Sequence, residues 1–505
     1  MKSKYIYQYF LTTLIMVLAW SCSLNREPVS EFSELTVNSD KKKDSLKYTT
    51  RAAMLSQYQA LYQRLKDQQE HWYLDLMLIA EAHSDNAYGG STGSEVVPME
   101  NNSIDGGNSV LARDWNKYLA DVAQANTVIC NIDAVPDPLL TPAERKQWKA
   151  EAKIFRAMVW FDMIRIWGNI PIVTQEGKDI TADNIKEVYP LYYPEQTPTQ
   201  DAYKQIAQDL TEAITDAPVN NPANKTILSK SVAKALLAKV YAEKPIRDYN
   251  KVLQYSNEVV ADGFALVADY TDLFGMNSAG TDAKARSTSE SILEINYYTG
   301  GGNWVTWMFG KDLINPENMF SWAKWVTPSR DLITDFLTEK DNVRYAESIV
   351  YYNCTWNNYY PAANYPFMYK IRSSVSSIIK IRLADILLMK AEALANLDKI
   401  SEAAAVVNQI RKRVKLPELA ATASVSKESM LNAVLHERRL ELAFEGQRWF
   451  DLVRYGKVQE VMNSVNSRDS GRLSQRRPFT ETSYLMPIPS TALDLNTNLK
   501  QNPGY

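Results

Sequence analysis

The chain has 505 residues, 45 % of them hydrophobic, and a formal net charge of −3. Such a chain can bury a large core, and its well-mixed acids and bases exclude the basic stripe that nucleic-acid binding needs. Three cysteines in this length exclude a disulfide scaffold.

Residues 1–21 read as a signal peptide. Lys2 and Lys4 form a positive start, no charge follows from Tyr5 to Trp20, and Phe10 to Ala19 is largely apolar. The apolar run is shorter than the roughly 18 to 20 residues that span a bilayer. Leu18-Ala19-Trp20-Ser21-Cys22 resembles a bacterial lipobox, which makes Cys22 the expected lipid attachment point. The polar stretch that follows, through residue 47, reads as a flexible tether.

Helical periodicity then dominates. Leu55, Tyr58, Leu61, Tyr62, Leu65, Trp72, Leu76 and Ile79 predict helix from Arg51 to Ala82, and Trp115, Leu119, Val122 and Asn126 line one side of a helix from Leu111 to Ile132. Thr141 is a candidate N-cap with Pro142 in the first helical position, opening a long helix to Trp167 that Gly168 ends. Further helices are expected over Asp201–Asp216, Ser229–Glu243 and Asn250–Ala261. Residues 235–243 align with 386–394, and about ten residues beyond each a second helix begins, at Asn250 and at Ser401. Ala238, Ala242, Ala391 and Ala393 would let such helices approach closely. This is the unit of tetratricopeptide-like repeats, whose period is about 34 residues and whose apolar faces are buried by stacking on one another.

Between these units the composition changes. From Tyr297 to Tyr369, 18 of 73 residues are aromatic, and five of the twelve tryptophans fall there. Interleaved Gly, Asn and Pro predict ordered loops with short strands, the kind of region that carries binding function on a rigid scaffold. An indole or phenol can stack on the apolar face of a sugar ring while staying rigid at low entropic cost. Tyr298, Trp304, Trp307, Trp322, Trp325 and Trp356 are therefore the candidate platforms, each with the alternative of a core or loop-anchoring aromatic.

Little points to catalysis. There is no nucleophile elbow, phosphate-binding glycine loop or metal helix motif, and no Cys/His spacing suggests zinc. Cys130 and Cys354 could pair or remain thiols. Arg438 with Glu441, and Arg448 with Asp451, stand at i,i+3 spacing and suggest a structural ion-pair network rather than chemistry.

Four blocks resemble the SusD/RagB family of Bacteroidetes nutrient-binding lipoproteins: Phe155 to Val173, Ile381 to Leu394, Glu437 to Gly456, and Leu485 to Pro489 with Asn498 to Tyr505. Trp115 to Asp133 is also similar to the family. The resemblance implies a mainly α fold, a single SusD-like domain over 48–505. Tetratricopeptide-like helix pairs would form its scaffold, around 111–263 and 380–415, and 297–370 would be a loop-rich region with short strands. It implies non-catalytic binding of a glycan, lipid anchoring at the outer membrane, and delivery to a SusC-like TonB-dependent barrel. A RagB-type peptide-binding protein is the alternative, and a surface glycoside hydrolase a more distant one. The turn at Asp85 and Asn86 resembles the place where family members present ligand contacts, although it also reads as a helix end with turn-forming residues. Arg372 is a further candidate contact, with a helix-bridging arginine as its alternative. No cofactor is expected, and no EF-hand spacing supports calcium.

Overall fold

The structure is a computed structural model that describes residues 46–89, 93–298, 300, 302–309 and 325–505. The signal peptide, Cys22, most of the tether and Trp322 lie outside the described residues. Helix α1 (Arg51–Asp67) starts at Thr50, whose hydroxyl accepts from the Ala53 amide at 3.2 Å. The sequence predicts helix from there to Ala82, but Gln68 leaves the helical region (φ −88°, ψ 66°) and breaks it. The chain then resumes in two wider π-helical turns, Glu70–Leu74 and Leu78–Ala82, flanking Asp75–Met77. Everything from His71 to Ala82 is buried.

The scaffold continues with α2 (Ser109–Asn131), α3 (Pro142–Trp167), α4 (Thr199–Asp216), α5 (Lys230–Ala242) and α6 (Tyr249–Ala261). Thr141 caps α3 through a reciprocal box with Glu144, with Pro142 in the first turn. Gly168 ends α3 at φ 74°, where an added β-carbon would meet Leu485 at 2.5 Å. Each helix from α2 to α6 packs on the next.

Two short helices, α7 (Arg330–Glu339) and α8 (Asn342–Ser348), belong to the loop-rich part. The scaffold then resumes as α9 (Leu383–Asn396), α10 (Ile400–Arg413), α11 (Lys427–Glu441) and α12 (Arg448–Tyr455). Helix α6 packs directly on α9, so the array runs on across the interruption. Ala242, Val252, Met389 and Ala393 form a buried cluster at that junction, with the alanines at the crossing as the repeat pattern requires. Thr50–Tyr505 pack as one unit.

The strands are short and pair antiparallel. They are β1 (Ala87–Tyr88) with β3 (Thr327–Pro328), β2 (Ser291–Ile295) with β6 (Ile378–Arg382), and β4 (Ile349–Tyr352) with β5 (Tyr365–Met368). Pairing β2 with β6 brings the two ends of the loop-rich part together at the start of α9.

Helix α11 is held by a buried ion network. Glu441 receives Arg344 at 3.0 Å and Arg382 at 2.5 Å, and also pairs with Arg413. The i,i+3 pairs expected from spacing do not form. Arg438 instead reaches Asp385 and Asp451, both at 2.8 Å, and Arg448 reaches Asp85. The face that carries these side chains is buried, so neighbouring elements rather than the same helix supply the opposite charges. Such pairs fix the register of packed elements more than they add net stability.

Candidate ligand-binding site

The site grows out of β2. Past Ile295 the chain stays extended, so successive side chains point to opposite faces. Tyr297 turns inward and donates its hydroxyl to the Lys66 carbonyl at 2.7 Å. Burial, followed by the charge of Asp67, pushes its phenol well up from its ordinary value. Tyr298 turns outward and is 55 % exposed. Behind it Arg286 stands 4.6 Å from the ring centroid, held by bonds donated to the Tyr297 and Val375 carbonyls.

The next turn is pinned from two sides. Gly302 takes φ 129°, and an added β-carbon would meet the Tyr297 ring at 2.7 Å, so the backbone passes where only glycine fits. Gln69, just beyond the break after α1, donates to the Gly302 carbonyl and accepts from the Trp304 amide at 3.1 Å. On the other side the buried Asn303 donates from its backbone to Ser374 at 3.0 Å and from its side chain to Ser376 at 2.7 Å. Trp304–Phe309 then forms a 3-10 helix. Side chains three apart eclipse in that geometry, which brings Trp304 and Trp307 onto one edge. Val305, Thr306, Met308 and Phe309 are buried, Trp304 is half-buried, and Trp307 is 43 % exposed. Large aromatic faces on a backbone fixed at both flanks can stack a flat apolar surface with little loss of entropy.

The remaining sequence candidates are placed elsewhere. Trp325 and Trp356 are buried, the latter in a cluster with Tyr365 and Phe367. Arg372 is buried against the Tyr369 ring and donates to the Glu347 carboxylate at 2.9 Å, which is its bridging alternative. Asp85 and Asn86 require a correction, because the turn that holds them is interior. Asp85 is 1 % exposed and accepts from Arg448 at 2.8 and 2.9 Å, with Arg439 at 3.1 Å. Burial opposes its charge, but Arg439 and Arg448 outweigh burial and hold the carboxyl well below the usual range. Asn86 donates to Glu81 at 2.7 Å and accepts from Arg439 at 2.9 Å. Both side chains therefore bind the chain's own arginines.

Sequence reasoning overlooked the residues that hold the platform, namely Gln69, Arg286 and Asn303. Only Gly302 beside Asn303 hinted at a constrained turn. Cys130 and Cys354 are not joined in a disulfide. Among the described residues, no group of His, Cys, Asp or Glu could hold a metal ion, and no helix is long and apolar enough to cross a membrane.

A tetratricopeptide-like helix array interrupted by a loop-rich part is the fold of SusD-like proteins. A SusD homolog from Bacteroides thetaiotaomicron superposes with a TM-score of 0.73 at 22 % identity, covering 90 % of this chain and 97 % of that one. A structure described as a laminarin binding SusD-like protein gives 0.68 at 24 % identity, covering 91 % and 100 %. The sequence matches the family described as "Starch-binding associating with outer membrane" over residues 34–242, and the SusD family over residues 364–505. SusD-like protein P38 of Formosa agariphila is 24 % identical over 450 residues, 80 % of this chain and 82 % of the relative. SusD-like protein P2 of the same organism is 26 % identical over 470 residues, 86 % and 89 %. The chain belongs to the SusD/RagB family.

Proposed function

We propose that this protein binds a glycan at the bacterial outer membrane without cleaving it, and passes it to a SusC-like TonB-dependent barrel. In this reading Cys22 carries the lipid anchor, residues 23–47 are the tether, and the ligand side faces the exterior. The observation that carries it is the pinned loop that keeps Tyr298 and Trp307 at the surface. Exposed aromatics this large are expensive to leave in water, and a rigid aromatic face suits the apolar side of a sugar ring. The family description and a laminarin-binding structural neighbour support the same ligand class. Trp322 remains a further candidate platform.

Calorimetric titration against laminarin, other soluble glycans and a peptide library tests the proposal. Binding to at least one glycan is expected. Trp307→Ala should weaken it about tenfold, corresponding to roughly 1.4 kcal/mol, without changing the thermal midpoint. Peptide binding with no glycan binding would reverse the ligand assignment. New reducing ends on incubation with the bound glycan would replace binding with hydrolysis.

A further inference from the structure

A second cavity, of about 410 Å³, lies away from the aromatic loop, between the end of α3, the start of α4, the turn after α5, helix α12 and the segment Glu481–Leu485. Its volume is within the range of about 300–1,000 Å³ usual for small-ligand sites. Phe450 and Tyr484 supply aromatic wall, and Lys244 stands at the rim, its ammonium 5.7 Å from the Tyr484 ring centroid.

Two polar side chains of largely buried residues line this space. Glu243, just past the end of α5, is 9 % exposed, and Tyr203 on α4 is buried. Among the described residues neither the carboxyl of Glu243 nor the hydroxyl of Tyr203 makes a hydrogen bond, and the carboxyl makes no ion pair. The charge of Glu243 acts on Tyr203 through space, and Arg165 acts on both. Burial pushes the Glu243 carboxyl up from its ordinary value despite Arg165 and Arg454 nearby. Both polar ends reach the cavity space, where solvent can meet them. Two such groups without a protein partner leave hydrogen-bonding positions in one cavity that a ligand can take over from water.

The charges choose the ligand. Arg165 is already paired with Asp162, and its guanidinium stands 4.1 Å from the Phe161 ring centroid and 4.2 Å from that of Phe450. Arg454 is paired with Glu392 and Asp451. These cations disfavour an amine, and Glu243 disfavours an acid. A neutral hydroxyl satisfies both empty positions, since it can donate to Glu243 and accept from Tyr203. We propose that this cavity is a second binding site, taking a single neutral sugar unit whose hydroxyls bridge Glu243 and Tyr203 and whose C–H face lies on Tyr484. The site does not depend on the aromatic loop.

The test is saturation-transfer NMR on the full chain with methyl glycosides of glucose, galactose and mannose. A Tyr298→Ala/Trp307→Ala background is used throughout, which removes both exposed rings of the loop. At least one glycoside should receive saturation, and Tyr203→Phe or Glu243→Ala should weaken its binding at least tenfold. Thermal melting gives an independent reading. Glu243→Gln should raise the midpoint of the ligand-free protein, by removing a carboxyl whose charge burial disfavours, and Glu243→Ala should abolish the further rise that the glycoside produces. The proposal is overturned if no glycoside is contacted, which would leave the cavity to water. It is overturned equally if both pocket variants bind like their background, or if Glu243→Gln lowers the midpoint, which would make the carboxyl a structural contact.

Discussion

Asp85→Asn separates a structural carboxylate from a ligand contact. In the folded chain Asp85 takes two bonds from Arg448 and stands 3.1 Å from Arg439. Arg439 keeps Asp331 and Asp335 when Asp85 loses its charge, whereas no other acid pairs with Arg448 among the described residues. Breaking a buried pair by removing one partner costs about 3–5 kcal/mol. An asparagine that preserves shape and one acceptor should lie near the lower end, about 3 kcal/mol. With about 2 cal/mol/K of unfolding entropy per residue, a unit of this size has an unfolding entropy on the order of 1 kcal/mol/K. The midpoint should therefore fall by about 3 °C in differential scanning calorimetry. Glycan affinity, titrated in parallel, should not change. The pH dependence has a definite sign. A carboxyl held below its unfolded value contributes stability that is fully present above that value, 3.8, and is lost as pH falls through the folded value. The gap between wild type and variant should thus be flat from pH 8 to 5 and still largely present at pH 4. An unchanged midpoint with a tenfold loss of affinity would refute the reasoning and return Asp85 to the ligand.

Three other outcomes are expected. Asp75 and Asp114 are buried beside one another, and burial is the first cause that raises both carboxyls, Asp75 to about 6. The native state then holds a proton that the unfolded state releases, so stability should fall as pH rises from about 4 to 6. Asp114→Asn should flatten that slope in urea titrations, and an unaltered slope would place the shared proton elsewhere. Ala393→Leu, at the junction of α6 with α9, should overpack the crossing and destabilise by about 1–3 kcal/mol, read from the denaturant midpoint, whereas an unchanged midpoint would mean that the crossing has room. Cys22→Ala should release the protein from membranes on fractionation while leaving glycan titration intact, and retention in the membrane fraction would rule out Cys22 as the anchor.

Features of the scaffold that depend on neighbours in sequence were legible. The Thr141-Pro142 start and the Gly168 stop are local chemistry, and the alanines shared by residues 235–243 and 386–394 announced close helix crossings. The site was only partly legible, because the sequence makes all its aromatics look alike. Burial separates them, sending Trp325 and Trp356 inward and leaving Tyr298 and Trp307 outward. Strand alternation after Tyr297 and 3-10 spacing from Trp304 to Trp307 explain that sorting once the elements are known. Asp85 was misread because its partners lie in α11 and α12, more than 350 residues along the chain. Tyr203 and Glu243 gave no sign, since each reads as an ordinary helical residue and their shared cavity exists only once α3, α4 and α12 are packed together.

The direct seating of α6 on α9 has a thermodynamic consequence for how such a chain can change. The segment between them is a loop closed by the scaffold, and the entropy of closing a flexible loop grows only with the logarithm of its length. Doubling the length costs only about 0.6 kcal/mol. Lengthening an exposed turn between Ala261 and Leu383 therefore costs the helical frame little, provided that the buried pairs of Arg344 and Arg382 with Glu441 are kept. The frame carries the stability, and the exposed turns of the insert are inexpensive to lengthen.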